Sequence, residues 1–493
     1  MSNLFRKGRL TSVRKDVTRF TSSVNSDKMI LKPVVKINQA HIIMLIEQKI
    51  INASDGRAIL VALASIKDMR KKIVAEDAHM YVEEEVTNSV GHVVGGNLHI
   101  AKSRNDQVST AIRITLRENL NTLIESIVKM QESIITLATK HVETIFPGYT
   151  HLQPAQPVTF SHYLVAYVDA LERDVSRLEE VYSRVNQCPM GACAIATTSF
   201  KIDREIVAKL LGFTEILENS IDAVSARDFI LETMAAIAIH SVNVSRIVED
   251  LILWNSLNFG LIEIPDEFAS TSSIMPQKKN PDPLEVIRAR TGNVIGCFLN
   301  SVTILRALPS GYNLDFQEVT PLLWNSFEIT MEALDLLSKL LPNLTIYEKT
   351  LEKPVFNLIT STELANILTR KYKVPFRTAH RIVGALCKLV IDERIPVSRI
   401  TPELLERITH KSAGIPLKIL VEDLKSAFDP MKFVEAHSTI GGPSPSRVKK
   451  AIESRKERIN STRKWLTQTR SKLVEADASL EKAIKVHTIE SSV

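Results

Sequence analysis

Three polar runs hold the residue types needed for proton transfer and anion binding. They are Lys102-Ser103-Arg104-Asn105-Asp106-Gln107, the stretch from Tyr149 to Pro157, and the stretch from Ser270 to Pro281. His151 and Ser272 are the candidates to move protons. Arg104, Lys278 and Lys279 bring positive charge, and Thr150, Ser272, Ser273, Asn105 and Asn280 bring neutral donors. Each run is placed to open a helix, where free backbone N–H groups and the helix dipole favour anions. Such a collection suits a substrate with several carboxylates. Plainer readings stand beside this one. A Ser/Thr run before a helix is ordinarily an N-cap, a lone His in a turn is ordinarily a hydrogen-bonding residue, and Lys278-Lys279 reads as a solvated charge pair.

Other polar features point less far. Glu76-Asp77-Ala78-His79 and Glu83-Glu84-Glu85 could ligate a metal, but the glutamates are more simply a solvated helix face, and no metal is expected. Neither Gly-x-Gly-x-x-Gly nor a P-loop occurs, so nucleotide binding has no motif behind it. Met275 reads as a packing residue.

The elements that must position these runs are helices. Between Ala111 and His141 there is no Gly or Pro, and Ile112, Leu116, Leu120, Leu123, Ile124, Ile127 and Ile134 recur at helical spacing. Leu164, Val168, Leu171, Val175 and Leu178 form the stripe of a second helix, from about Thr159 to Val185. A third lies between Gly212 and Gly260, where 35 residues of helix would span about 50 Å. Two more are expected at about 282–307 and 321–341. Such helices suggest a bundle that hides its remaining apolar surface by oligomerising. The predicted class is all-α with three domains. Residues 1–109 form an N-terminal helical domain, 110–355 the central long-helix bundle and 356–450 a small C-terminal domain. A basic helical tail follows at 451–493.

Composition agrees. With 16 Gly, 20 Pro and 5% aromatics in 493 residues, chain breakers are too few for a turn-rich β protein. Lys plus Arg number 62 and Asp plus Glu 56, a net charge of +6. That is too diffuse to imply a nucleic-acid partner. Four cysteines without a disulfide pattern fit a reducing cytosol. Met1–Phe20 lacks the apolar core of a signal peptide, and no uncharged apolar stretch approaches a membrane span.

Ser272-Ser273-Ile274-Met275-Pro276-Gln277-Lys278-Lys279-Asn280-Pro281 resembles the signature loop of the fumarase/aspartase superfamily. Within it, Ser103-Arg104-Asn105-Asp106-Gln107-Val108 and Gly148-Tyr149-Thr150-His151-Leu152-Gln153 resemble the argininosuccinate lyase family. So do Ser220–Ser225, Tyr312–Glu318 and the Gly441-Gly442-Pro443 region. The resemblance runs from about Gly8 to Lys450. It implies reversible elimination of argininosuccinate to arginine and fumarate in arginine biosynthesis, without a cofactor. It further implies a cytoplasmic homotetramer whose active sites are shared between chains. Ser272 matches the serine favoured as base, with Lys278 and loop N–H groups steadying its alkoxide. His151, paired with Glu285, assists the leaving nitrogen; an older assignment in the family reverses the two roles. Ser23, Asn105, Thr150, Tyr312 and Gln317 match substrate-binding positions, Arg104 and His79 lie near the substrate, and Lys278 and Asn280 match carboxylate binders.

Several positions depart from the family pattern. Thr320 stands where a substrate-binding lysine is common, Thr271 and Cys193 where glycine is common, and Ala111 and Ala226 where aspartate is common. Phe5-Arg6-Lys7-Gly8-Arg9 replaces a Trp-Gly-Gly segment. These mark a divergent branch, expected to be archaeal. Two alternatives remain. One is a sister fumarate-releasing lyase acting on adenylosuccinate, which would need a purine and phosphate site. The other is a non-catalytic structural homologue, since the family has been recruited as a lens crystallin.

Overall fold

The computed structural model describes residues 13–68, 76–348 and 353–489. The Phe5–Arg9 departure lies outside them. The architecture is all-α, with β structure confined to short two-stranded pairs among the described residues. Helices α1 (Leu31–Glu47), α2 (Ala53–Ala64) and α3 (Ala78–Val90) precede the first long helix. That helix, α4 (Arg104–Lys140), is 37 residues long, about 55 Å. Its predicted stripe from Ile112 to Ile134 is buried throughout. A capping box starts it: Ser103 accepts from the following turn, and Asp106 accepts back from the Ser103 N–H.

A hairpin follows, β1 (Ile145–Thr150) and β2 (Gln153–Thr159), so the Tyr149–Pro157 run forms a strand pair ahead of the next helix and does not itself open it. Thr159 then caps α5 (Phe160–Val185) by accepting from the His162 N–H. Helix α6 runs from Asp228 to Asn255. This shortens the expected helix between Gly212 and Gly260. Residues Glu215–Ile216 instead pair with Gln187–Cys188, and Asn219 caps a separate short helix, Ser220–Ser225. Asn219 starts that short helix by accepting from the Ile221 and Asp222 N–H groups, and the backbone leaves the helical conformation at Ala226, with ψ 127°, before α6 begins.

The pair β3 (Ser270–Thr271) and β4 (Lys279–Asn280) precedes α7 (Asp282–Leu305), and α8 (Val319–Leu340) completes the bundle. One hydrophobic core joins α1 to α8 with the last helix, α9 (Pro445–Thr488). A second core lies within residues 364–427. The basic charges of α9 are met by acids of the bundle: Arg463 pairs with Glu132, Arg470 with Glu125, Arg455 with Asp169 and Arg458 with Glu172. Segment Asp27–Glu47, which carries Lys32 and Lys36, is long and apolar enough by length and composition to cross a membrane. It is mostly buried in the protein core, with Val34, Ile37, Ile42 and Ile43 inaccessible. Ile239 and Val242 of α6, with Val286, Leu299 and Val302 of α7, leave an apolar face exposed on the bundle.

Candidate active site

The predicted site residues fall into three clusters. The first gathers where the N-terminal segment meets the start of α4. Ser23 donates to Asp27 at 2.8 Å, and the same carboxylate oxygen accepts from the Ala78 N–H at 3.1 Å, holding the start of α3 against the N-terminal turn. Arg104 pairs with Asp77 at 2.8 Å, and Asp77 also caps α3. Gln317 reaches back to the Thr21 carbonyl at 3.1 Å. Asn105 donates its amide to the Ala194 carbonyl at 3.0 Å. Tyr312 sits in the combined field of Arg227, Asp77, Asp27 and Arg104, and burial raises its phenol. His79 is buried beside Gln107 without a well-formed hydrogen bond. Burial, opposed by Asp77, lowers its imidazole to about 4, so it is neutral at pH 7.

The second cluster is the hairpin tip. Thr150 faces Gln153, so His151 and Leu152 form a two-residue turn, both with φ near +57°. Such turns normally take Asn or Gly. Here the strained turn carries the exposed candidate imidazole. The base of the hairpin is rigid: Phe146 packs against Phe160 and Trp254 at ring distances of 5.0 and 4.9 Å. Gly148 is required, since a Cβ there would meet the Gln156 carbonyl at 2.6 Å.

The third cluster is the 270–281 loop. Ser272 and Ser273 are not N-caps: Pro281 occupies that position for α7, with no side-chain cap. Instead the Ser272 hydroxyl oxygen accepts from the backbone N–H groups of Met275 (3.1 Å) and Ile274 (3.3 Å). Two donors on one oxygen favour its alkoxide. Thr271, at the usual glycine position, donates to the Lys278 carbonyl at 3.1 Å and ties the two sides of the loop together. Lys279 is engaged with Asp266 and Glu263 at 2.6 and 3.1 Å, whereas Lys278 is exposed and makes no ion pair among the described residues. Asn280 lies half-buried on β4, and Glu285 is exposed in the first turn of α7.

Among the described residues, no side-chain hydrogen bond or ion pair joins His151, Lys278 or Glu285 to the Ser23–Arg104 cluster. Thr320 is buried in the first turn of α8. Sequence reasoning missed the parts played by Asp27, Asp77 and Asp106. For Asp106 a signal existed, the Ser-x-x-Asp spacing of a capping box.

A family profile described as Lyase matches residues 15–296, and one described as Argininosuccinate lyase C-terminal matches residues 358–435. The argininosuccinate lyase of Methanocaldococcus jannaschii is 43% identical over 494 residues, covering 99% of both chains. The chain belongs to the argininosuccinate lyase family. That of Methanosarcina barkeri is 40% identical, covering 94% of each. Among solved structures, EDDS lyase in complex with formate superposes with a TM-score of 0.86 at 28% identity, covering 93% of this chain and 92% of that one. A class II fumarase from Schistosoma mansoni shares the fold, with a TM-score of 0.70 at 15% identity and coverage of 83% and 91%. Cys193, which departs from the family's glycine, has φ +55°, the conformation a glycine there would adopt freely.

Proposed function

We propose that the chain cleaves argininosuccinate reversibly to L-arginine and fumarate, as a carbon–nitrogen lyase of arginine biosynthesis. The full-length match to argininosuccinate lyases carries the activity. In the mechanism, Ser272 as alkoxide takes a proton from the succinyl carbon next to a carboxylate. The electron pair moves into that carboxylate, forming an aci-carboxylate dianion. Lys278 and Asn280 meet its charge as it develops. The C–N bond then breaks, its neighbour carbon's pair becomes the fumarate double bond, and the guanidinium nitrogen leaves with a proton whose transfer His151 assists, with Glu285 behind it. Thr150, Ser23, His79, Arg104, Asn105, Tyr312 and Gln317 hold the substrate. What supports Ser272 as base is the pair of backbone donors on its oxygen.

The lack, among the described residues, of any side-chain hydrogen bond or ion pair joining His151, Lys278 or Glu285 to the Ser23–Arg104 cluster supports a homotetramer in which each site draws on several protomers, and the exposed apolar face of α6 and α7 gives that assembly a surface to bury. Domain bounds of 1–109, 110–355, 356–450 and 451–493, and a cytoplasmic location, belong to the same proposal.

The test is fumarate release, followed by ultraviolet absorbance, with argininosuccinate and adenylosuccinate offered in parallel. Release from argininosuccinate alone is expected. Release from adenylosuccinate alone overturns the substrate assignment, and silence with both from a folded oligomer moves the weight to a non-catalytic role.

A further inference from the structure

The loop from Pro189 to Ile195 lies outside every motif read as chemical, yet it touches the substrate cluster twice. Its Ala194 carbonyl accepts the Asn105 amide at 3.0 Å. Its Ile195 side chain backs Gly311, so closely that a Cβ on Gly311 would come within 3.3 Å of Ile195 Cδ1, and Gly311 adjoins Tyr312.

The loop is gripped from both sides of its backbone. Its N–H groups face Asp106: Gly191 and Cys193 donate to Oδ2 at 3.1 and 2.8 Å, while Oδ1 accepts from the Ser103 N–H at 3.1 Å. Asp106 is inaccessible to solvent, so these contacts form without competition from water. Two of its carbonyls face Arg204: Nε donates to Met190 at 2.9 Å and one terminal nitrogen to Pro189 at 3.4 Å, while the same terminal nitrogen donates at 2.9 Å to the carbonyl of Leu217, outside the loop, and anchors the guanidinium there. The Arg204 stem also lies against Gly191, where φ is +88° and a Cβ would sit 2.7 Å from Arg204 Cγ. A planar guanidinium can bridge several carbonyls at once, which an ammonium cannot.

We propose that Arg204 is a positioning residue for the substrate site: with Asp106 it clamps the 189–195 loop, and through Ala194 the loop sets the orientation of the Asn105 amide. The inference rests on the reading of Asn105 as a substrate-binding residue. Arg204 itself stands across the loop from Asn105 and acts only through it.

A double-mutant cycle tests this. Arg204→Met is expected to lower kcat/KM for argininosuccinate about tenfold to a hundredfold, the cost of a displaced substrate contact. In an Asn105→Ala background the same change is expected to lower it by less than about twofold, because the residue it positions is gone. Arg204→Lys should recover part of the loss. Losses that multiply in the double variant overturn the proposal and leave the functional reading intact. No loss in either background also overturns it. A neutral Asn105→Ala removes the role of Asn105 and the proposal with it. Hydrogen exchange decides the clamp without reference to activity. In Arg204→Met the peptide spanning 188–196 should exchange at least tenfold faster while peptides within α4 stay unchanged, and unchanged exchange in that peptide sinks the clamp even if argininosuccinate is not the substrate.

Discussion

A serine hydroxyl is a poor base in water, and the role proposed for Ser272 rests on local geometry. The Ser272 oxygen sits in a turn that aims two backbone N–H groups at it, with Lys278 six residues on in the same loop. Replacing Ser272 with Ala should lower kcat about 10²–10⁴-fold, the usual contribution of a positioned base, with circular dichroism and oligomeric state unchanged. A loss under tenfold would reassign the base. Cys193 presents a different residue-scale demand. Its φ of +55° costs a side chain about 1–2 kcal/mol, and its N–H must still reach Asp106. Cys193→Gly should therefore unfold within about 1 kcal/mol of the parent, since released strain offsets lost packing. Cys193→Val should be destabilised by about 2 kcal/mol or more, because a β-branched side chain both fits that φ badly and crowds the loop. Thermal melts that rank valine with glycine would show that the left-handed geometry is not required.

At the scale of elements, the start of α4 is an electrostatic junction. Burial raises Asp106 from its ordinary 3.8 to about 6, against the opposing N–H groups of Ser103, Cys193 and Gly191 and the nearby Lys102. Burial also lowers Lys102 to about 8. Between about pH 4 and 6 the folded protein therefore holds a proton on Asp106 that the unfolded chain releases. The stability contributed by this group is full below 3.8 and is lost as pH rises through 6. Asp106→Asn removes that slope. Its unfolding free energy should change with pH in this window by up to about 1.4 kcal/mol per pH unit more positively than the parent's. Asp27 titrates over the same range but is present in both proteins, so the difference isolates Asp106. Parallel denaturation curves from pH 4.5 to 6 would exclude the buried, raised carboxyl.

For the whole molecule, the proposed sharing of sites makes a direct prediction. Ser272→Ala and His151→Asn variants should each be nearly inactive. Mixing, dissociating and reassembling them should restore activity that neither parent shows, because some sites then receive Ser272 and His151 from different, intact chains. Reassembled hybrids that stay inactive would place both groups of each site on one protomer. Helix α9 is part of the fold and not an appendage. It buries Val448, Ile452, Ile459, Leu466 and Leu480 in the main core and supplies basic partners to α4 and α5. Deleting residues 447–493 should expose those faces and give aggregated or unfolded protein by sedimentation. A soluble, active truncation would show that α9 is dispensable to the fold.

The sequence by itself determined the features that depend on neighbours along the chain. The stripes of α4 and α5 were legible because helical periodicity is local, and the three polar runs were legible because each is a continuous segment. Tertiary structure decided what depends on distant segments. The helix between Gly212 and Gly260 is shortened by strand pairing with residues 187–188 and by the break at Ala226, neither of which disturbs the apolar pattern. The hairpin tip at His151 and Leu152 lacks the Asn or Gly that would announce its turn, and aromatic packing at its base holds it instead. Asp106 reaches N–H groups 85 and 87 residues away, a bond that no local pattern encodes. The surroundings of the first polar run have the same cause: the sequence specifies the long helices locally, and only the packed fold brings the start of α4 to Asp77 and to the Ala194 carbonyl.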